Sequence, residues 1–232
     1  MQENTAAIIV AASSTNRSEE YEILWTPLAG RITLARTIDV FETSRCIHSI
    51  VLVLDAAHLA KITKLSQHEG WQKVTALVAD GSQRQDAVHR GLDALTTVTP
   101  EIDWVIIHDA ARPLVTQALL EAGLQAAKEH LAASAAVPVK ETIKQVHQGL
   151  VSATLDRSQL WTIQTPQVFS YSLIHQAYHS LTTNEAFSDD AALLASQGKQ
   201  VFIFPGSYTN VKITNQADLL LAEALLEGQV PL

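Results

Sequence analysis

A three-layer α/β/α fold, Rossmann-like, with a mostly parallel sheet and a projecting β-arm, is predicted by three features of the 232-residue sequence. Short apolar runs with β-branched centres alternate with amphipathic segments of helical length, which implies βαβ crossovers. Apolar residues make up 47% of the chain and charged residues only 17%, so both faces of the sheet are expected to be covered. Between residues 139 and 169 the alternation breaks, and two strand-like runs flank His147-Gln148-Gly149 with no helix between them.

The elements follow in order. Ala6 to Ala12 (AAIIVAA) reads as a buried first strand, and Ile32 to Phe41 carries helix-spaced apolar residues. Ser49 to Leu54 is a second strand, Ala56 to Leu65 a helix, and Val74 to Val78 a third strand. Gln83 to Leu95 reads as helix, Trp104 to Ile107 as a fourth strand, and Leu114 to Leu131 as a long Ala/Leu-rich helix. Ala132 to Val139 leads into another strand. Thr142 to Val146 and Leu150 to Leu155 form the hairpin of the arm. Tyr171 to Ser180 and Asp189 to Ser196 return to helix; Gln200 to Phe204 and Val211 to Thr214 are late strands, and Gln216 to Leu226 is the last helix. Parallel crossovers are almost always right-handed, which puts helices on both faces. One domain, 1–232, with an arm at 139–169, is the simplest parse.

Composition narrows the function. No apolar run approaches the ~18 residues of a membrane span. No basic region precedes the first apolar run, and Cys46 stands alone, so a cytoplasmic protein packed without disulfides is expected. A formal net charge of −8 argues against a nucleic-acid partner, though not against a small phosphorylated one.

In open α/β sheets the ligand crevice lies at the carboxyl ends of the strands. Three loops there carry candidate chemistry. Ile106-Ile107-His108-Asp109-Ala110-Ala111-Arg112-Pro113 delivers a carboxylate to the sheet edge, where oxygen ligands can hold a divalent cation. Arg112 adds a planar fork of donors suited to phosphate. Ser13-Ser14-Thr15-Asn16-Arg17 offers hydroxyls and one guanidinium to a phosphate, but no glycine. Asp80-Gly81-Ser82-Gln83-Arg84 places a glycine and a capping serine before a helix, and Arg84 within it. Lys212, between Val211 and Ile213, points opposite to them if the segment is a strand. His175 and His179 have the i,i+4 spacing of a metal pair, but with neither the glutamate of a zinc-protease motif nor a cysteine cluster a surface or packing role is the expectation. No Gly-x-Ser-x-Gly, Gly-x-Gly-x-x-Gly or Walker motif occurs.

Taken in order, several stretches resemble the 2-C-methyl-D-erythritol 4-phosphate cytidylyltransferases of the non-mevalonate isoprenoid pathway. They are Gly81-Ser82-Gln83-Arg84-Gln85-Asp86, His108-Asp109-Ala110-Ala111-Arg112-Pro113, Pro138 to Lys144, Asp156-Arg157, Gln164-Thr165-Pro166-Gln167-Val168-Phe169, Ser188-Asp189-Asp190-Ala191 and Asn210-Val211-Lys212-Ile213-Thr214. Ribitol-5-phosphate cytidylyltransferases are similar and form the nearest alternative. The resemblance implies a nucleotidyltransferase fold that transfers CMP from CTP to a polyol phosphate with Mg²⁺, releasing pyrophosphate. It implies Arg17, Asp109 and Lys212 as catalytic groups, with Asp109 at the metal. Arg112, Thr142, Arg157 and Thr165 would surround the methylerythritol phosphate, and Ala11, Ala12, Ser13, Gly81, Ser82 and Arg84 the nucleotide. Arg157 would reach the site of a second subunit from the arm, making a homodimer.

The sequence departs from the family in the loop after the first strand. The family form Ala-Ala-Gly-x-Gly-x-Arg-Met is here Ala11-Ala12-Ser13-Ser14-Thr15-Asn16-Arg17-Ser18. A lysine expected shortly after the arginine is absent, its place taken by Ile23 or Leu24, and no lysine precedes Lys61. Glu19, Glu20 and Glu22 lie where a triphosphate is expected to pass, Ala87 replaces a family serine, and Ser82 a frequent second glycine. Losing one group that stabilises transition-state charge costs ~10²–10³ in rate, so a catalytically impaired relative with an intact acceptor site is the competing expectation.

Overall fold

The computed structural model describes residues 3–11, 17–81, 83–99, 101–181 and 186–228, with the side chains of residues 17–20 left out of the description. The chain runs β1 (Thr5–Val10), α1 (Arg17–Trp25), β2 (Pro27–Leu28), β3 (Arg31–Ile32), α2 (Thr33–Thr43), β4 (Ser49–Leu54), α3 (Leu59–Glu69), β5 (Val74–Ala79), α4 (Arg84–Val98) and β6 (Trp104–Asp109). It continues with α5 (Gln117–His130), β7 (Ala132–Pro138), β8 (Lys144–His147), β9 (Leu150–Thr154), β10 (Trp161–Ser170), α6 (Tyr171–His179), α7 (Asp190–Ser196), β11 (Phe202–Pro205) and α8 (Gln216–Leu226).

A seven-stranded sheet in the order β11-β7-β10-β6-β1-β4-β5 forms the middle layer, with β10 antiparallel to both its neighbours. Consecutive residues of β1 serve opposite layers, as the two-residue period of a strand requires. Ala7 and Ile9 join α2, α3 and α5 in one core, whereas Ala6, Ile8 and Val10 join α4, α6 and α7 in the other. Helix α4 approaches the sheet so closely that a Cβ on Gly91 would sit 2.7 Å from Ile8 Cγ2.

The sequence-based elements agree with these bounds to within a few residues, with four differences. Trp161–Ser170 is a strand in the middle of the main sheet rather than part of the arm, and of residues 139–169 only β8 and β9 form a separate hairpin. Its pattern is hard to read because its first residues are exposed while Gln164 to Phe169 are buried on both faces. Val211–Thr214 is not a strand; that segment is irregular, so Lys212 is placed by its contacts and not by strand alternation. The acidic stretch after Arg17 is helix α1, with Tyr21 and Leu24 buried and Glu22 exposed. Helix α4 is capped at Gln83, whose N–H donates to Asp86 at 3.0 Å, whereas the sequence placed the cap at Ser82.

Candidate active site at the carboxyl edge of the sheet

Strand β6 ends at Asp109, one residue after the fully buried His108. Its neighbour β1 ends beside it, with Val10 opposite Asp109. A cleft of about 300 Å³ opens there, lined among others by Arg84, Asp109, Arg112, Gln164, Thr165 and Lys212. Three cations converge on one carboxylate. Arg84 Nε lies 3.3 Å from Asp109 Oδ1, and Arg112 Nε and Lys212 Nζ lie 3.3 Å and 3.6 Å from Oδ2. Burial pushes the Asp109 carboxyl up, but Arg84, Lys212 and Arg112 together outweigh it and hold it well below the usual carboxylate range. The acid is therefore ionised at any working pH.

Each cation is placed by a distinct element. Arg84 is the first residue of α4, and its Nη1 reaches Asp190 Oδ2 at 3.0 Å. Burial opposes the Arg84 charge, and Asp190 and then Asp109 more than compensate, so the guanidinium pKa is raised. Asp190 is itself fully buried and accepts a hydrogen bond from Tyr178 at 2.6 Å. Gln167 holds the start of α7, donating to Asp189 at 2.7 Å and accepting from the Ala191 N–H at 3.2 Å. Arg112 follows Asp109 in a tight turn, its N–H donating to the Asp109 carbonyl at 3.1 Å, and its Nη1 donates to the Asn210 carbonyl at 2.8 Å. The Asn210 side chain donates in turn to the Thr165 carbonyl at 2.8 Å, and the Ile213 N–H to the Ala111 carbonyl at 2.8 Å. These bonds clamp the irregular 207–214 segment over the site and aim Lys212 at Asp109.

Thr165 sits where the β10–β7 register shifts, between Ile163 and Gln167, and a bulge there re-aims side chains into the cleft. Pro166, which has no N–H for the ladder, falls in the same bulge. The Thr165 hydroxyl oxygen accepts the Asp109 N–H at 3.0 Å and lies 3.0 Å from His108 Nδ1. Burial lowers the His108 pKa to about 4, so the ring is neutral near pH 7. Its Nε2 faces the Arg112 carbonyl at 3.2 Å and must carry the proton, which leaves Nδ1 to accept from Thr165. His108, read in the sequence only as part of the motif, thus supports the turn that carries Asp109 and Arg112.

Of the residues singled out from the sequence, Asp109, Arg112, Lys212, Arg84 and Thr165 meet in this cleft. Ala11 and Gly81 follow β1 and β5 on the same edge without lining it. Space is the constraint at Gly81: a Cβ there would fall 2.1 Å from Asp86 Cβ. Thr142 and Arg157, expected around the acceptor phosphate, are exposed on the arm and do not line the cleft of their own chain; Arg157 Nη1 donates to the Lys140 carbonyl at 2.8 Å. Ala12, Ser13, Ser82 and the Arg17 side chain lie outside the described residues. The sequence reading gave no role to Asp190, Gln167 or Asn210; the signal for Asp190 was an acid at the head of an apolar helix, Asp190-Ala191-Ala192-Leu193-Leu194.

Known proteins share this architecture and are similar in sequence. The 2-C-methyl-D-erythritol 4-phosphate cytidylyltransferase family (IspD) matches residues 5–228. The protein of that name from Alkaliphilus oremlandii is 41% identical over 227 residues, covering 96% of this chain and 95% of the relative. That of Dehalococcoides mccartyi is 40% identical over 228 residues, covering 98% of each. The crystal structure of 4-diphosphocytidyl-2C-methyl-D-erythritol synthase from Anaerococcus prevotii superposes with a TM-score of 0.85 at 28% identity, over 98% of this chain and 100% of that one. The cytidylyltransferase of Thermus thermophilus gives a TM-score of 0.77 at 26% identity, over 98% and 100%. With the profile spanning the sheet, the Asp109 turn and the Lys212 segment alike, the chain belongs to the 2-C-methyl-D-erythritol 4-phosphate cytidylyltransferase family.

Proposed function

We propose that this protein transfers CMP from CTP to 2-C-methyl-D-erythritol 4-phosphate and releases pyrophosphate, a step of isoprenoid precursor synthesis. The observation that carries the reading is the convergence of Arg84, Arg112 and Lys212 on Asp109 in a protein whose formal net charge is −8. Such a site concentrates positive charge where two anionic reactants must meet. An oxygen of the acceptor phosphate forms a bond to the α-phosphorus of CTP while the bond from that phosphorus to the bridging oxygen breaks, and the electron pair leaves with pyrophosphate. No proton need be removed from the nucleophile. Lys212 and Arg112 stabilise charge on the phosphoryl oxygens, and Arg84, locked by Asp190, keeps the carboxylate in place.

Mg²⁺ suits this donor set. Magnesium is commonly held by one or two carboxylates, with substrate phosphates and water completing the shell. Asp109 would supply that carboxylate, since its contacts of 3.3–3.6 Å are longer than tight charge-assisted bonds and leave its oxygens exchangeable. When bound, the ion neutralises phosphate charge.

The arm supports a homodimer reading. Val146, Leu150 and Val151 are 55%, 76% and 61% exposed, an apolar surface that a second copy would cover. A low turnover number is favoured by Ile23 and Leu24, which are buried apolar groups where the family carries a lysine nearby. Pyrophosphate release from CTP, followed with methylerythritol phosphate or ribitol 5-phosphate as acceptor, tests the assignment. Release with the first alone supports it; release with the second alone, or with neither, overturns it.

A further inference from the structure

We propose that His89, Asp93 and His179, with His175 adjoining His179, form a binding site for Zn²⁺ or a chemically similar transition-metal ion, bridging α4 and α6 away from the Asp109 cleft. The two histidines of α6 were visible in the sequence as an i,i+4 pair. The fold adds a second i,i+4 pair, His89 and Asp93 on α4, facing them. His179 Nε2 lies 3.1 Å from His175 Nε2 and 3.1 Å from Asp93 Oδ1, and His89 Nε2 lies 3.9 Å from the same Asp93 oxygen. Donor atoms of His89, Asp93 and His179 all fall within 4.8 Å of one another. Zinc–nitrogen and zinc–oxygen bonds of roughly 2.0–2.2 Å at tetrahedral angles put ligand atoms about 3.3 Å apart, close to this spacing.

Hydrogen bonding accounts poorly for the cluster. A neutral imidazole Nε2 either carries one proton or offers one lone pair. If His179 Nε2 donates to Asp93, it has no lone pair left for His175; if it accepts from His175, it meets the Asp93 carboxylate lone pair to lone pair. One proton serves both contacts only as a shared, weakened bond. His89 Nε2 is buried and has no hydrogen-bond partner among the described residues. A metal ion resolves all three problems, because every nitrogen then offers its lone pair to a common centre and the carboxylate balances charge. Three imidazoles and one carboxylate suit zinc, copper or nickel rather than magnesium. Asp93 and His179 are each 51% exposed, so an ion in solution can reach them.

With His175 beside His179 as the fourth neighbour, the role of the site is structural. It would tie together the two helices that support the buried bridge, since Arg84 begins α4 and Tyr178 of α6 holds Asp190. The test uses the full chain stripped with EDTA. Titration with ZnCl2 is expected to show one tight equivalent and, at about a hundredfold excess over Kd, a rise in Tm on the order of 5–10 °C, with no rise from MgCl2. Co²⁺ in its place is expected to give the strong visible absorption of a tetrahedral ion. The His175→Gln/His179→Gln double variant is expected to melt like the stripped wild type and to lose at least tenfold in zinc affinity. Asp93→Asn, a change at a half-exposed position, gives an independent check with the same expected loss. No zinc-dependent rise in the wild type, or unchanged affinity in the folded variants, overturns the proposal.

Discussion

Arg84 Nη1 and Asp190 Oδ2 stand 3.0 Å apart although 106 residues separate them in sequence. Asp190 is fully buried and the Arg84 side chain is 17% exposed, so neither charge can retreat into water if the other is removed. Removing one partner of a buried pair costs about 3–5 kcal/mol, because the survivor is left desolvated and uncompensated. Asp190→Ala should lower stability by that amount in urea denaturation. Turnover should fall too, as Arg84 loses the anchor that aims it at Asp109. Unchanged stability and unchanged turnover would show that the bridge carries neither fold nor site.

Acid should weaken the protein through His108. Its folded pKa of about 4 lies below the ordinary 6.5 because the ring is buried. Between those values the unfolded chain binds more protons, so stability rises with pH across that window. The contribution is complete above pH ~6.5 and is lost as pH falls toward ~4, amounting to about 3 kcal/mol. Denaturation midpoints measured over this range should slope accordingly, and His108→Gln should flatten the slope. An equal slope in the variant would assign the effect to another group.

The missing lysine can now be placed. Leu24 is buried in the large core with α2, whereas Ile23 shares a small cluster with Leu28, Ile213, Leu219 and Ala222. Ile213 adjoins Lys212 in sequence, so position 23 packs beside the segment that carries Lys212. Ile23→Lys should raise turnover about tenfold or more by adding a cation near the phosphates, while costing on the order of 1–3 kcal/mol from the lost apolar packing. Steady-state kinetics beside a thermal melt separates the two effects. A destabilised variant with no gain in rate would mean that the departure at this position does not limit catalysis.

The arm yields a fourth expectation. His147 and Leu150 pair across a two-residue turn in which Gln148 and Gly149 both have positive φ, the geometry of a tight hairpin. That turn projects Leu150, at 76% exposure, into solvent. Leu150→Glu should shift sedimentation from dimer to monomer without lowering Tm of the subunit fold. A wild type that sediments as a monomer would remove the basis for placing Arg157 in a partner's site.

Most of the fold and half of the site were legible before any coordinates, for physical reasons. Strands buried on both faces write themselves as continuous apolar runs, as in Ser49–Leu54, and β6 led directly to Asp109. Arg112 lies close to Asp109 in sequence, so one motif located both. What stayed hidden depends on distant contacts. Strand β10 carries Gln164, Thr165, Pro166 and Gln167 where it borders the cleft, and these mask its periodicity. Lys212 is aimed by its neighbours' hydrogen bonds, the Asn210 carbonyl accepting from Arg112 and the Ile213 N–H donating to Ala111, not by strand alternation. Asp190 and His89 gain meaning only once α4 packs near α6 and α7, which no local spacing reveals.

In the proposed reaction the α-phosphorus of CTP is transferred at Asp109. Following α-radiolabelled CTP with methylerythritol phosphate and Mg²⁺ tests it most directly. Label is expected in a cytidine diphosphate polyol while the β and γ phosphates leave together, and that transfer is expected to be lost in Asp109→Asn. Label that stays in CTP, or a variant that transfers it as fast as the wild type, contradicts it.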